Sequence, residues 1–297
     1  MGYVISVTNQ KGGVGKTLTA SSLASILHDR GYKVLSIDMD PQCNFDQVAG
    51  GPGAIKQFDL ESLSILNVLR QECSMREAIV QTNLGDLVRA SPNLSQWTGR
   101  SLLSRRDFKA FVDKGTSPED FMKAIADRYN EGWGAIEHKT LHFELMDVRD
   151  DYDFIFLDTN PSLTLLTLNS LFTADYILIP AFAEESSRKA VMELSDTIAE
   201  LKSQNAEMRS EIMGILLTKY KRHTKLAAAY SGFFDRLAAK IGTVVFQAKI
   251  RDGIAASEYA NRKVDLIRYS PKSPVAQDYL RFADEFLSRI KEMEGSI

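Results

Sequence analysis

The sequence predicts an α/β fold, a mostly parallel twisted sheet with helices on both faces. Three observations carry that expectation. Short apolar runs alternate with helical stretches, a glycine-rich turn joins the first strand to the first helix, and aspartates stand at the ends of two later strands.

The elements follow in order. Tyr3–Thr8 is β-rich and uncharged, as a strand covered on both faces should be. From Thr17 to Arg30, Leu18, Leu23, Ile26 and Leu27 fall at helical spacing, and Gly31 ends the run. Lys33–Ile37 is a second strand and leads into Asp38-Met39-Asp40-Pro41. Phe154–Leu157 is another and leads into Asp158-Thr159-Asn160-Pro161. Tyr176–Pro180 and Ile212–Leu217 complete the strands the pattern makes clear.

One segment breaks the rhythm. Between about Leu103 and Val148 no strand pattern appears, and Ser117-Pro118-Glu119-Asp120 reads as an N-cap with proline at the first helical position. Phe121, Ile125 and Tyr129 then follow at four-residue steps. Too few residues remain there for a separate core. The expectation is a single P-loop domain over residues 1–297 with a helical elaboration at about 103–148. From Ser273 to Lys291, Val275, Tyr279, Phe282, Phe286 and Ile290 share one face, which predicts a helix docked on the core.

Composition limits the functional classes. Of 297 residues, 44% are hydrophobic and 25% charged, an ordinary globular balance. The longest apolar run, Tyr176 to Ala183, is strand-sized, far below the roughly 20 residues of a membrane-spanning helix. No signal-peptide pattern is present, and the Met1-Gly2 start fits an acylation motif less well than the approach to a buried strand. Cys43 and Cys73 are too few and too far apart for a metal or redox motif, so reduced thiols in the cytoplasm are expected. A net charge of −3 excludes a globally basic nucleic-acid binder but leaves room for a local basic patch.

The chemistry concentrates in Asn9-Gln10-Lys11-Gly12-Gly13-Val14-Gly15-Lys16-Thr17. Glycines let the backbone wrap closely around phosphate oxygens with N–H groups pointing inward, and the following helix start adds partial positive charge. Lys16 supplies a cation for the terminal phosphates and the Thr17 hydroxyl a ligand for Mg²⁺. Gly12, Gly13, Val14, Gly15, Lys16, Thr17 and Leu18 are therefore the expected contacts to ATP. Asp158 stands at a strand end where Mg²⁺ would be held through water.

The loop departs from the ordinary pattern, because Gln10 occupies the first glycine's place and Lys11 adds a second lysine. In this the chain resembles the ParA/MinD family of deviant Walker NTPases. The resemblance extends through Asp-Pro-Gln at 40–42, Leu157-Asp158-Thr159-Asn160-Pro161-Ser162-Leu163, Leu168-Asn169, and Ser270-Pro271-Lys272-Ser273 with Ala276, Tyr279 and Ala283. It implies a sandwich homodimer formed on ATP, in which Lys11 reaches the partner's nucleotide. It also implies that Asp40 orients the attacking water beside Mg²⁺, in a set with Thr17 and Asp158. Asp38 is left a structural or outer role.

The ParA branch further implies non-specific binding of double-stranded DNA by the dimer, a ParB-like partner protein, and a nucleoid-associated place in the cytoplasm. Basic candidates for DNA are Lys219, Lys221, Arg222 and Lys225, followed by Arg251, Lys263 and Arg268. Where family members often carry arginine, Ala255 stands; they usually have proline at Asn160 and glycine at Cys43. With the first strand at Tyr3, no helix-turn-helix extension and no operator-specific autoregulation are expected. Two other readings stay open. A MinD-like membrane switch needs a basic amphipathic C-terminal helix, whereas this one mixes Asp278, Asp284 and Glu285 with Arg281, Arg289 and Lys291. An ATP-dependent ligase of the same fold would need a dedicated small-molecule pocket.

Overall fold

A computed structural model describes residues 2–49, 62–97, 139–221 and 225–295, together with Ser117, Asp120 and Lys123. Seven strands form one sheet: β1 (Tyr3–Val7), β2 (Val34–Met39), β3 (Ile79–Thr82), β4 (Gly85–Val88), β5 (Phe154–Thr159), β6 (Tyr176–Phe182) and β7 (Glu211–Thr218). Their order is β3-β4-β2-β5-β1-β6-β7, and every pairing is parallel except that of β3 with β4. The central strands β1, β2 and β5 are buried almost throughout, Asp38 and Asp158 near the carboxyl ends of β2 and β5 included.

The β3–β4 hairpin went unpredicted for a physical reason. β3 lies at the sheet edge, half-exposed, and Gln81 and Thr82 give it no apolar run. Its partner begins at Gly85, whose φ is +96°; a Cβ there would lie 2.5 Å from the Val34 carbonyl oxygen. Only glycine fits so close to the neighbouring strand.

The main helices are α1 (Lys16–Asp29), α2 (Asn44–Ala49), α3 (Leu165–Thr173), α4 (Glu185–Gln204), α5 (Lys225–Lys240) and α6 (Pro274–Glu294). On one face of the sheet, α1 and α6 pack over Phe154 and Phe156 through Leu23, Phe282 and Phe286. On the other, α3, α4 and α5 bury Leu171, Val191, Leu194 and Phe234. Ser273 caps α6 by accepting the Ala276 N–H at 3.2 Å, and Tyr279, Phe282 and Phe286 are fully buried, as the docked-helix expectation required. Truncating either phenylalanine to alanine would cost about 3–5 kcal/mol. Beyond β7 the chain returns along its edge, bridging at Val245 and again at Arg251.

The Ser117 hydroxyl accepts the Asp120 N–H at 3.1 Å, the predicted N-cap. Pro118, Glu119, Phe121, Ile125, Tyr129 and most of 103–148 lie outside the described residues. Among the described residues, no helix is long and apolar enough to cross a membrane.

Candidate nucleotide-binding site

The strand order sets β1 between β5 and β6, so the crevice at its carboxyl end lies where connections leave in opposite directions. The loop leaving β1 is tied down on both sides. Asn9 donates to the Pro180 carbonyl at 2.7 Å and accepts the Lys11 N–H at 2.9 Å. The Thr218 hydroxyl donates to the Val14 carbonyl at 2.8 Å. Gly13 and Gly15 adopt left-handed backbone (φ +74° and +87°), which turns the chain so that α1 opens its first N–H groups to the crevice.

Lys16 stays inside its own loop, donating to the Asn9 carbonyl at 3.2 Å and the Lys11 carbonyl at 3.4 Å, and is only 7% exposed. Burial pushes its ammonium pKa down, against the opposing pull of Asp158 and Asp40. A buried cation whose hydrogen-bond partners among the described residues are two carbonyls is poised for a polyphosphate.

Asp158 pairs in register with Val7 on one side and Asp38 on the other. Both of its oxygens are buried without a hydrogen bond of ordinary geometry, although the Thr17 hydroxyl is near enough to favour the charged form. Burial pushes its carboxyl up to about 7. An orphaned buried carboxylate beside a helix-start hydroxyl fits a hard cation such as Mg²⁺.

Asp38 and Asp40 divide their work. Asp38 is fully buried and accepts N–H groups from Asp40 at 3.0 Å and Phe45 at 3.1 Å, so it fixes the turn into α2. Burial, with Asp46 and Asp158 nearby, holds its carboxyl well above the usual range. Asp40 accepts the Gln42 N–H at 3.0 Å and lines the cleft. Next to it Cys43 takes left-handed backbone, φ +53°, which accounts for a usual glycine at this place. Burial pushes the Cys43 thiol up to about 12 and the Cys73 thiol to about 11, so neither is a reactive thiolate.

The cleft holds about 360 Å³. Gly13, Val14, Gly15, Lys16, Thr17, Leu18 and Asp40 line it, together with Lys219, Ile250, Arg251, Ala256 and Tyr259. No motif marked Ile250, Ala256 or Tyr259, because they come from an irregular stretch beside β7 and from a four-residue helix, Ala255–Glu258, and its end, none with a sequence signature. Lys11 is not among the lining residues. Its ammonium leaves the loop to pair with Glu184, donates to the Ser186 hydroxyl at 2.5 Å, and lies 5.4 Å from the Phe182 ring centre.

The candidate DNA residues separate into groups. Lys221 and Lys263 are exposed. Lys219 lines the cleft, with its ammonium 5.0 Å from the Phe182 ring centre. Arg222 lies outside the described residues, and Lys225 opens α5 with its side chain also outside them. Arg251 and Arg268 both pair with protein carboxylates. Arg251 grips the buried Asp278. Arg268 joins Asp29 at 2.7 Å, Asp265 and the Ser25 hydroxyl, and so anchors the loop before α6 onto α1.

A family described as an AAA domain matches residues 2–212. Over 289 residues the chain is 29% identical to the chromosome-partitioning ATPase Soj of Thermus thermophilus, covering 97% of this chain and 96% of that one. It is 30% identical to the chromosome partitioning protein ParA of Myxococcus xanthus, covering 97% of this chain and 89% of the other. In fold it matches cobyrinic acid a,c-diamide synthase of Mycobacterium smegmatis, solved with an ATP analogue and magnesium, at TM-score 0.70 and 24% identity over 98% of this chain and 96% of that one. With a phosphate loop, a strand-end acid and this extent of likeness, the chain belongs to the ParA/MinD family of P-loop ATPases.

Proposed function

We propose that the protein is a DNA-partition ATPase. Two protomers close face to face on two ATP molecules, bind duplex DNA without sequence preference in that state, and separate after hydrolysis. The observation that carries this reading is the division between the lysines. Lys16 is buried in its own phosphate loop, while the Lys11 ammonium stands outside the cleft that its own loop forms. A lysine in that position contributes little to its own nucleotide and is available to a second one. Two polyphosphates brought together need such added positive charge.

Within each site the chain's residues have distinct tasks. Backbone N–H groups of Gly13 to Thr17 and the Lys16 ammonium hold the phosphates. Thr17 and, through water, Asp158 would hold Mg²⁺, which supplies charge neutralisation at the phosphates when bound. Asp40, at the cleft wall, accepts a hydrogen bond from the attacking water and orients it. The exposed Lys221 and Lys263, with Arg222 and Lys225, supply phosphate contacts to DNA, and dimerisation doubles their number. A ParB-like DNA-binding protein is the partner that stimulates turnover, and the nucleoid is the expected location. The C-terminal helix buries its apolar face on the core, which disfavours the membrane-switch alternative.

The test is sedimentation with ATP and Mg²⁺ in an Asp40→Ala background, where slow turnover traps the closed state. The parent background should sediment as a dimer, and adding Lys11→Ala should return it to monomers that still bind ATP. An ATP-dependent dimer in the double variant would refute the trans-acting lysine.

A further inference from the structure

A second cavity, of about 470 Å³, shares no lining residue with the nucleotide cleft. It lies where β7 begins, at Glu211, whereas β7 ends at Thr218, whose hydroxyl holds the Val14 carbonyl of the phosphate loop. Its volume is within the roughly 300–1,000 Å³ of small-molecule sites. β7 closes one edge of the sheet, so helices from both faces meet there. From one face α4 brings Ile198 and Lys202, and from the other α6 brings Arg289 and Met293. Ile212 and Ile241 complete the apolar wall. Lys202 is half-buried, and it has no hydrogen-bond or ion-pair partner among the described residues. Arg289 is fixed by donating through Nε to the Met213 carbonyl at 3.1 Å, and its Nη1 pairs with Glu292 at 3.2 Å. Its Nη2 makes no hydrogen bond among the described residues. Glu211 is exposed, so two cations against one carboxylate leave the lining a single net positive charge.

We propose that this cavity binds a small monocarboxylate with an apolar body, its head between Lys202 and Arg289 and its body against the isoleucines. The chemistry selects that class on three counts. The backbone bond at Nε holds the guanidinium plane of Arg289, which leaves an in-plane donor for a carboxylate, and the flexible Lys202 ammonium closes on the other oxygen. The wall of Ile198, Ile212, Ile241 and Met293 rewards an apolar body, because covering it releases water. A second negative charge on the ligand would meet Glu211 with only one net positive charge to answer it. A polyphosphate fits none of these terms, which separates this site from the nucleotide cleft.

The test is calorimetry of octanoate with the full chain, with and without ATP and Mg²⁺. Octanoate should bind once per chain, and each methylene between butanoate and octanoate should lower the Kd by up to about fourfold. Octanol has the same body without the charge and should bind about 3- to 10-fold more weakly. Lys202→Met should weaken octanoate by a similar factor and leave octanol unchanged, a split that general damage to the fold would not produce. Arg289→Lys keeps the charge, loses the planar fork, and should show a smaller loss for octanoate alone. Neither variant should alter ATP affinity. Absence of octanoate binding, equal affinity for octanol, indifference to Lys202→Met, or competition between octanoate and ATP would each overturn the assignment.

Discussion

At the phosphate end of the cleft the ligand-facing groups come mainly from backbone. Gly13 and Gly15 turn the chain, and α1 supplies N–H groups within one short stretch of sequence. The rest of the cleft wall comes from side chains on separate elements, Lys219 after β7, Arg251 beyond α5, and Tyr279 in α6. The first design is compact and tolerates little variation, because its geometry is the chain itself. The second is assembled from distant residues and leaves room for this chain's own chemistry. The contrast predicts large losses from damage to the phosphate loop and smaller losses from damage to the rest of the wall.

The largest effect belongs to Lys16. A cation about 4 Å from a phosphate is worth on the order of 4 kcal/mol at an effective dielectric near 20, roughly a thousandfold in Kd. Lys16→Ala should therefore approach that loss for ATP and for tripolyphosphate alike, measured by calorimetry. A loss confined to ATP would mean that Lys16 does not act on the phosphates.

Asp158 sharpens the same end through pH. Burial raises its carboxyl to about 7, so the ionised form that a cation needs is fully present only above neutrality. Mg²⁺-dependent ATP affinity should climb from about pH 6 to about pH 8 in the parent and be low and flat in Asp158→Asn. Stability runs the other way. A folded-state pKa above the unfolded one stabilises the protein at low pH, and that contribution is lost as pH rises through about 7. Without ligand, Asp158→Asn should thus be more stable than the parent at about pH 8, by about 1–3 kcal/mol, in thermal or urea unfolding. Equal stability there would mean that the carboxylate is not strained by burial.

Legibility in the sequence follows the same division. The five apolar strands, the phosphate loop, the docked helix and the strand-end position of Asp158 were all readable, because each is a local pattern with one physical solution. The β3–β4 hairpin was not, since its polar edge strand and the close approach of Gly85 to Val34 leave no periodic signal. Arg251 and Arg268 looked like surface charge because a linear reading cannot see Asp278, Asp29 or Asp265 beside them. The cis pairing of Lys11 with Glu184 spans most of the sheet in sequence and was equally invisible.

A third prediction concerns the face outside the cleft. Lys221→Glu with Lys263→Glu should weaken non-specific duplex binding in ATP about tenfold at moderate salt. If both lysines meet phosphate, each also removes roughly 0.9 from the slope of log affinity against log salt, per protomer engaged. ATP and tripolyphosphate binding should not change. An unaltered salt slope in fluorescence anisotropy would take these lysines out of the DNA surface.

The smallest effect is the most informative about how Lys11 moves between its two environments. In the single protomer its ammonium is held by Glu184 and Ser186 at the start of α4, and partial burial lowers its pKa. To reach a nucleotide across a dimer interface it must leave that pair. The Glu184 side chain is 46% exposed, so solvent screens the attraction and the hold is worth only about 0.2–1 kcal/mol. Glu184→Gln keeps the shape and removes the charge, and should raise ATP-dependent dimerisation by roughly 1.5- to 5-fold in the Asp40→Ala background. Combined with Lys11→Ala it should have no effect, since the pair no longer exists. A fall in dimerisation from Glu184→Gln alone would mean that Glu184 supports Lys11 in the closed state rather than restraining it in the open one.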